Sequence, residues 1–236
     1  MRLDQYLVEA GLAETRSKAQ QLIKAGAVTV DGNVVQKPSF ALAAQQIALT
    51  ETMPYVSRAA LKLKGLLPSV PFSCEGMHAL DIGASTGGFT QVLLEAGAAE
   101  VDAVDVGTDQ LHPLLRNDAR VRSFEQTDIR RFMPGRSYDI VTSDVSFISL
   151  HHILDDVDRL ARRWIILLFK PQFEVGREAR RDRRGVVTDQ DAVDHAVEAF
   201  EAACEGRGWK LHAKAEAVIT GKEGNTETCY CYEKHR

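Results

Sequence analysis

Residues 80–90, Leu-Asp-Ile-Gly-Ala-Ser-Thr-Gly-Gly-Phe-Thr, decide the fold of this chain. The apolar run 79–82 predicts a buried strand, which breaks at Gly83 into a loop of glycine and small polar residues. From Phe89 onward, apolar residues recur at helical spacing. A strand, a glycine turn and a helix in this order are typical of the first βα unit of a nucleotide-binding α/β sheet, where the helix N-terminus offers unpaired N–H groups to a ligand.

The glycine spacing in this loop excludes the dinucleotide fingerprint G-x-G-x-x-G. That fingerprint needs a glycine where this chain has Ala84 or Ser85, whereas the glycines here are Gly83, Gly87 and Gly88. We therefore predict a site for a different small-molecule cofactor; the alternative is a glycine-bearing turn that binds nothing. The residues expected to contact the cofactor are Asp81, Gly83, Ala84, Ser85, Thr86, Gly87, Gly88 and Phe89.

The composition is that of a globular protein, and we expect it in the cytoplasm. The chain has 236 residues, 44% of them hydrophobic and 26% charged, which allows one large domain with or without a small one. No apolar run approaches the roughly 20 residues of a membrane-spanning helix, and the N-terminus carries charges where a signal peptide has an apolar core. The cysteines lack metal-ligand spacing, so we expect no metal site and no disulfide. A net charge of −4 still permits a local basic surface, and a monomer is the default expectation.

The first 50 residues form a unit of their own. Two short helical patterns end near Gly11 and Gly26, and Thr15 or Ser17 can cap the second. Two β-branched runs surround an Asp-Gly pair, which predicts a hairpin, and a last short strand follows around 46–49.

This unit closely resembles the S4 RNA-binding domain. The matching text is Arg2-Leu-Asp, Thr15-Arg-Ser-Lys-Ala, Ile23-Lys-Ala-Gly-Ala-Val-Thr-Val-Asp-Gly and Lys37-Pro-Ser. The resemblance implies contacts to a structured RNA through the second helix and the hairpin, where basic side chains can meet phosphates. For each lysine the alternative is a solvated charge without a partner. The residues of this unit expected to bind RNA are Arg2, Arg16, Ser17, Lys18, Lys24 and Lys37.

Residues 51–56 are expected to be a linker, and 57–236 a second domain. At its start Arg58 and Lys62 are four residues apart on one helix face, which suggests an anionic partner such as RNA; the alternative is an exposed basic edge. From residue 78 strands and helices alternate, which favours a parallel sheet, and the last two strands are expected to pair antiparallel at its edge. The predicted strands are 78–83, 101–106, 121–125, 139–143, 164–169, 210–219 and 226–232, and the predicted helices 89–96, 111–118, 148–161 and 191–206.

Polar residues fall at the carboxyl ends of several predicted strands, where ligands of open α/β sheets bind. Asp105 lies 22 residues beyond Gly83 and is placed to bind a ribose, and Asp128 could contact an adenine amino group; a structural role is the alternative for each. Lys170 closes an apolar strand, where it is poorly solvated, and Asp144 should end the adjacent strand. A buried Lys–Asp pair beside a cofactor loop is a candidate acid/base centre, or else only a structural ion pair.

Five motifs in order resemble the FtsJ-type RNA 2′-O-methyltransferases, and with the S4-like unit the chain resembles their TlyA (haemolysin A-like) family. The motifs are Ser57-Arg-Ala-Ala-Leu-Lys-Leu, the loop 81–90, Ser143-Asp, Lys170-Pro-Gln-Phe-Glu and Gly221-Lys-Glu-Gly-Asn-Thr-Glu. The resemblance implies an α/β fold: a Rossmann-like class I methyltransferase with a mostly parallel seven-stranded sheet, its last strand antiparallel, after a small α+β S4 domain.

The same resemblance implies the chemistry. S-adenosylmethionine would be the cofactor over the glycine loop, and the acceptor would be the 2′-hydroxyl of a cytidine in the ribosomal RNA of ribosomal subunits. Glu223 is a nearby alternative to the fourth member of the implied tetrad. The tetrad, Lys-Asp-Lys-Glu, falls by motif position on Lys62, Asp144, Lys170 and Glu227.

Three other functions are weighed against this one. The presence of all four tetrad positions disfavours a non-catalytic S4-type RNA-binding protein in ribosome assembly. The charged N-terminus and the lack of a membrane-length apolar run disfavour a haemolysin. The glycine spacing and the basic front end disfavour a nicotinamide dehydrogenase.

The run 177–185 is strongly charged and has no apolar period, which is typical of a loop. We interpret it as a mobile segment beside the site that closes over RNA. Its arginines are then expected to contribute to RNA affinity and to its salt dependence, namely Arg180, Arg181, Arg183 and Arg184.

Overall fold

The computed structural model describes residues 1–24, 26–43, 46–49, 55–221 and 223–235. The chain separates into two compact units, Met1–Pro54 and Tyr55–Arg236. Each unit has its own buried apolar core. Within the described ranges, every helix is too short or too polar to cross a bilayer.

The first unit packs two helices against a three-stranded sheet. Its helices are α1 (Leu3–Glu9) and α2 (Arg16–Lys24), and its strands are β1 (Val28–Val30), β2 (Asn33–Val34) and β3 (Ile47–Leu49). The central strand, β1, pairs antiparallel with both neighbours. The hairpin turns through Asp31 and Gly32, whose φ angles of 50° and 78° are those that an Asp-Gly turn supplies. Leu3, Leu7 and Ile23 are fully buried, as their helical spacing predicts.

The second unit is built on a seven-stranded sheet. Its strands are β4 (His78–Ile82), β5 (Glu100–Val104), β6 (Val121–Phe124), β7 (Tyr138–Ser143), β8 (Ala161–Phe169), β9 (Trp209–Glu216) and β10 (Thr228–Lys234). Its α-helices are α3 (Ala59–Leu66), α4 (Gly88–Glu95), α5 (Pro113–Arg116), α6 (Leu154–Leu160), α7 (Pro171–Glu174) and α8 (Gln190–Glu205).

The order of strands in this sheet is β6-β5-β4-β7-β8-β10-β9. The first five strands are mutually parallel, and β10 pairs antiparallel with both β8 and β9, so β10 alone runs against the other six. This confirms the predicted mostly parallel sheet with an antiparallel last strand. Strand order reverses between β4 and β7, and in open α/β sheets such a switch point marks the ligand-binding edge.

Strand β8 lies deep in the sheet because both of its faces are covered. From Trp164 to Phe169 every residue is at most 3% exposed. Phe200 of α8 packs among the aromatic rings of Phe169 and Tyr230, with ring centroids 5.4 and 5.1 Å away. A continuous apolar run is what a central strand covered on both faces requires.

Two predicted helices are shorter in the structure. The helix expected at 111–118 is the single turn α5, and that expected at 148–161 divides into a 3-10 turn, Leu150–His152, and α6. Ile153 separates them with a non-helical φ of −125°, and Ala161 already belongs to β8. Leu150 and Leu154 are both buried, so the apolar periodicity correctly predicted which residues face the core. It did not predict the break in the helix at Ile153.

The linker expected at 51–56 is only partly covered, because 51–54 lie outside the described residues. Tyr55 and Val56, which the sequence interpretation placed in the linker, pack on the second unit instead. Tyr55 is 7% exposed and its hydroxyl donates to Glu95 at 3.1 Å. The backbone N–H of Val56 donates to Gln91 at 2.8 Å. Tyr55 thus belongs to the buried part of the second unit rather than to a connecting segment.

Candidate active site

A cleft of about 830 Å³ opens at the carboxyl edge of the parallel strands. Because β10 is antiparallel, Thr228 at its start lies opposite Phe169 at the end of β8. The residue before β10 therefore reaches the same edge as the residues that follow β7 and β8. The structure brings all four tetrad candidates into the cleft lining: Lys62, Asp144, Lys170 and Glu227.

The glycine loop after β4 forms one wall of this cleft. Gly87 caps α4 with a φ of 96°, a conformation that L side chains rarely adopt. At Gly88 a Cβ atom would lie 2.9 Å from the backbone nitrogen of Ala60 in α3. Only glycine allows this approach, which packs α3, and with it Lys62, against the loop.

The N-terminus of α4 presents unpaired donors to the cleft. The backbone N–H groups of Thr86, Gly88 and Phe89 donate to no acceptor among the described residues, and all three residues line the cleft. Unpaired N–H groups at a helix N-terminus favour an anionic group of a ligand. The loop that is predicted to contact the cofactor is therefore in a position to bind an anionic group.

Asp81 has a different environment from the rest of the loop. Its side chain is fully buried and accepts hydrogen bonds from the N–H and hydroxyl of Thr90 at 2.9 and 2.7 Å and from the hydroxyl of Thr142 at 3.1 Å. Burial raises the pKa of Asp81 to about 7, although the hydrogen bonds from the two threonines favour the ionised form. Asp81 thus ties β4 to α4 and β7.

Asp105 contacts the loop directly, whereas Asp128 is engaged elsewhere. The carboxylate of Asp105 accepts from the backbone N–H groups of Ser85 at 2.8 Å and Gly107 at 2.7 Å. Both oxygens of Asp128 bond to Arg130, which lowers the pKa of Asp128 to about 2. Neither aspartate is among the residues that line the cleft. The geometry supports the ribose interpretation of Asp105 better than the adenine interpretation of Asp128.

Two lysine–carboxylate pairs occupy the centre of the cleft. The ammonium of Lys62 lies 2.5 Å from Oε2 of Glu227, and that of Lys170 lies 2.5 Å from Oδ1 of Asp144. The four side chains are between 3% and 13% exposed. Lys170 also donates to the hydroxyl of Ser146 at 2.9 Å. Lys62 therefore points into the protein, and the alternative of an exposed basic edge is wrong for this residue.

The pKa of Asp144 is subject to opposing influences from burial and from the neighbouring lysines. Burial raises the pKa of Asp144, while the nearby ammonium groups of Lys170 and Lys62 act in the opposite direction. Removing Lys170 would therefore leave the buried Asp144 carboxylate without its paired cation. Such coupled buried groups occur at functional sites more often than elsewhere.

Glu227 is held from two further sides. Its second oxygen, Oε1, accepts from the side-chain amide of Gln172 at 3.3 Å. A Cβ atom at Gly221 would lie 2.5 Å from the same oxygen, so glycine leaves the room that the carboxylate needs. Glu223 also lines the cleft, but it is Glu227 that pairs with Lys62. Gln172 falls within the motif Lys170-Pro-Gln-Phe-Glu, but the sequence alone predicts no role for it.

Phe147 is a cleft residue that the sequence interpretation missed. Its side chain is 91% exposed, and its φ of 66° places it in the left-handed region. Its ring lies 5.3 Å from that of Phe173. The loop that carries it is braced by Glu174, which accepts from the Ser149 hydroxyl at 2.6 Å and from the Leu150 N–H at 2.8 Å. An aromatic residue three positions after Asp144 was the available signal.

Basic residues of the first unit lie on its surface, as expected. Lys18, Lys24 and Lys37 are exposed, and so is Ser17. Arg58 of the second unit lines the cleft and donates to the carbonyl of Thr220 at 3.2 Å.

Arg2 and Arg16 are surface residues that share one buried partner. Both donate to the carboxylate of Asp4, at 2.9 and 3.0 Å, and the Asp4 side chain is fully buried. Gln20 donates to the same carboxylate at 2.9 Å. The two arginines are therefore held in fixed orientations rather than free in solvent.

The fold and the cleft together define a Rossmann-type methyltransferase preceded by a small helical and β-stranded domain. The FtsJ-like methyltransferase family matches residues 55–234, and the S4 domain family matches residues 1–46. The chain belongs to the FtsJ-like methyltransferase family and, within it, to the TlyA group that carries an S4 domain.

Individual relatives agree with this assignment. The 23S rRNA (cytidine-2′-O)-methyltransferase TlyA of Campylobacter jejuni is 41% identical, with all of both chains covered. The 16S/23S rRNA (cytidine-2′-O)-methyltransferase TlyA of Mycobacterium tuberculosis is 41% identical over 96% of this chain and 87% of its own. A solved structure from Streptococcus thermophilus, described as a "putative hemolysin", is 37% identical with a TM-score of 0.75, and the match covers 99% of this chain and 88% of that one.

Proposed function

We propose that this chain transfers a methyl group from S-adenosylmethionine to a ribose 2′-hydroxyl in ribosomal RNA, with cytidine as the acceptor nucleoside. The observation that carries the proposal is the pair of buried lysine–carboxylate contacts, Lys62–Glu227 and Lys170–Asp144, in one cleft beside the glycine loop. The Campylobacter and Mycobacterium relatives, both named as rRNA (cytidine-2′-O)-methyltransferases, support the same reaction.

The residues of the loop fit S-adenosylmethionine. The unpaired N–H groups of Thr86, Gly88 and Phe89 suit its carboxylate. Asp105 has two hydrogen bonds to backbone N–H groups, and its remaining lone pairs suit ribose hydroxyls. We leave Asp128 out because Arg130 engages both of its oxygens. When bound, the cofactor supplies an electrophilic methyl group on a sulfonium centre.

The two lysines supply what a ribose hydroxyl lacks as a nucleophile. A hydroxyl is almost fully protonated at neutral pH and must lose its proton as it attacks. Lys170 takes that proton when its amine is neutral. When it is charged, it stabilises the developing alkoxide, and the proton leaves to water. Asp144 holds Lys170 in place, and Glu227 does the same for Lys62, whose positive charge adds to the stabilisation. Alignment of the hydroxyl with the methyl group contributes much of the remaining rate.

The first unit would supply affinity for the RNA. Its exposed lysines and the arginines fixed by Asp4 suit phosphate groups, which bind without reading sequence. All four tetrad residues come from one chain, so we take a monomer as the active species. With ribosomal RNA as the acceptor, the enzyme would act in the cytoplasm.

The test is to incubate the protein with purified ribosomal subunits and methyl-labelled S-adenosylmethionine and then to map methylated riboses in the RNA. We expect label on a cytidine 2′-oxygen with the wild-type chain and none above background with Lys170→Ala. The matched control is Lys210→Ala, which removes an exposed lysine of the edge strand β9 and should leave labelling unchanged.

Two outcomes would contradict the proposal. Labelling by Lys170→Ala at the wild-type rate would remove the proposed chemistry while leaving a methyltransferase. Absence of label in every subunit, with RNA binding retained, would favour a non-catalytic RNA-binding protein.

A further inference from the structure

The arginine-rich segment that the sequence interpretation treats as a loop has a defined shape. Arg181 and Val187 form an antiparallel bridge, and the N–H of Thr188 donates to the carbonyl of Arg180 at 2.9 Å. The Asp182 side chain accepts hydrogen bonds from two backbone N–H groups of the turn, at 2.8 and 2.9 Å. We call residues 180–188 the arginine hairpin.

One buried side chain holds the arginine hairpin to the rest of the second unit. Asn225 is 3% exposed. Its amide oxygen accepts from the N–H of Val187 at 2.9 Å, and its amide nitrogen donates to the carbonyl of Gly185 at 3.5 Å. Its own carbonyl accepts from the N–H of Gly221 at 2.8 Å. The hairpin is thus attached two residues before Glu227, which pairs with Lys62.

The four arginines of the hairpin differ in what surrounds their charge. Arg180 pairs with Asp189 at 3.3 Å, and Arg184 pairs with Asp182 at 3.4 Å. Arg183 is exposed and contacts no described carboxylate. Arg181 alone of the four lines the cleft.

Arg181 lines the cleft without a carboxylate partner among the described residues. Its guanidinium donates to the neutral backbone carbonyl of Gln172 at 3.2 Å, and none of the described carboxylates pairs with it. A guanidinium fixed by a carbonyl retains several N–H donors in a planar fork, which matches the geometry of a phosphate. The carbonyl belongs to the residue whose side chain contacts Glu227, so Arg181 and the tetrad share one support.

We propose that Arg181 binds a backbone phosphate of the RNA acceptor and that Asn225 is the positioning residue that holds it there. The inference rests on the proposed function. A 2′-hydroxyl within an RNA chain lies next to the phosphate on its own 3′-oxygen, so a cleft that admits the hydroxyl must also meet that negative charge. Arg181 is the hairpin residue that meets it, and Asn225 fixes the hairpin from within the protein.

The first experiment compares Arg181→Gln with Arg183→Gln in the full chain. Both remove an exposed arginine of the same hairpin, but Arg181 alone lines the cleft. For Arg181→Gln we expect RNA affinity to fall about tenfold at moderate salt and the slope of log K against log salt to fall by about one. Arg183→Gln should change affinity less than about twofold. Equal effects of the two variants would overturn the role of Arg181.

The second experiment tests Asn225 by non-additivity. Asn225→Ala should raise KM for RNA by about as much as Arg181→Gln, with little change in kcat, because the chemistry lies elsewhere. The double variant Arg181→Gln/Asn225→Ala should have a KM for RNA no higher than that of either single variant. Both substitutions remove the same contact, the one between Arg181 and the phosphate. A purely structural role would lower Tm and kcat and would make the two effects add, which would overturn the proposal for Asn225.

The binding measurements separate this inference from the proposed function. If the wild-type chain binds ribosomal RNA but transfers no methyl group, the proposed function fails, and the difference between Arg181→Gln and Arg183→Gln still decides the phosphate contact. If methyl transfer is found but both variants bind like the wild type, the inference fails and the proposed function stands.

Discussion

Lysines of the cleft and lysines of helix α2 carry the same charged group in opposite surroundings. The side chains of Lys62 and Lys170 are 9% and 7% exposed, and each lies 2.5 Å from a carboxylate. Lys18 and Lys24 are exposed, and none of the described carboxylates pairs with either. The difference separates charges that the fold must compensate from charges that solvent compensates.

A buried ammonium group is expensive to leave unpaired, and so it keeps one geometry. Removing one partner of a buried pair costs about 3–5 kcal/mol, whereas an exposed pair contributes about 0–1 kcal/mol. The cleft lysines are therefore suited to act on one atom at one place. The α2 lysines are suited to attract any nearby phosphate and to add their contributions independently.

The largest expected effect comes from breaking a buried pair. Lys62→Met should lower the kcat of methyl transfer by at least about a hundredfold, because the site loses one of its two cations. It should also lower the free energy of unfolding by about 3 kcal/mol, because Glu227 is left buried without its cation. Urea unfolding and labelled-methyl kinetics check the two effects. The double variant Lys62→Met/Glu227→Met should recover most of the stability and none of the activity. Lys210→Met, which removes an exposed lysine of β9, should retain both stability and activity. Recovery of activity in the double variant would contradict the assignment.

Asp81 extends the comparison to a buried carboxylate that pairs with no cation among the described residues. Burial raises the pKa of Asp81 to about 7, so between about pH 4 and about pH 7 the folded chain keeps a proton there that the unfolded chain loses. Stability from this group is therefore present at low pH and is lost as the pH rises from about 4 to about 7. Between pH 5 and pH 8 the loss should be about 3 kcal/mol.

Unfolding in urea at pH 5 and pH 8 measures this dependence. Asp81→Asn should unfold with a smaller difference between the two pH values than the wild type. Glu198→Gln, which removes an exposed carboxylate of α8, should leave the wild-type difference in place. An unchanged pH dependence in Asp81→Asn would show that other groups cause it.

Asp4 provides the intermediate case, a buried carboxylate with exposed cations. Hydrogen bonds from Arg2, Gln20 and Arg16 hold the pKa of Asp4 far below its usual range. The stabilisation is present above about pH 4 and is lost as the pH falls. Asp4→Asn should lower Tm by several degrees at pH 7, because two arginines lose their partner. Calorimetry measures Tm, and the control is Glu14→Gln, which changes an exposed carboxylate. A Tm for Asp4→Asn equal to that of the control would contradict the prediction.

The smallest expected effect belongs to the exposed lysines. Lys18→Gln should weaken RNA binding by a few-fold, reduce the salt slope by about one and leave Tm unchanged, since the side chain contacts one phosphate at most. Filter binding at several salt concentrations measures the slope. A loss of Tm similar to that of Asp4→Asn would show that Lys18 supports the fold instead.

Much of the fold could be predicted because its signals are local. The strand before Gly83, the Asp31-Gly32 hairpin and the antiparallel closing strands each depend on a few adjacent residues. The errors occurred where distant contacts decide: Tyr55 joined the core through Glu95, and Ile153 interrupted a helix whose apolar periodicity continued through it. Gln172 and Asn225 were not predicted because their partners lie 55 and about 40 residues away.

The sequence by itself determined the loop 80–90, the strand ends that carry Asp144 and Lys170, and the family resemblance that pointed to Lys62 and Glu227. It could do so because glycine turns and strand ends are local and because parallel strands end at one edge. Only the tertiary structure decided which charges are paired and which are free. That outcome depends on α3 packing against Gly88 and on β10 entering the sheet opposite the end of β8, contacts that no stretch of the chain contains alone.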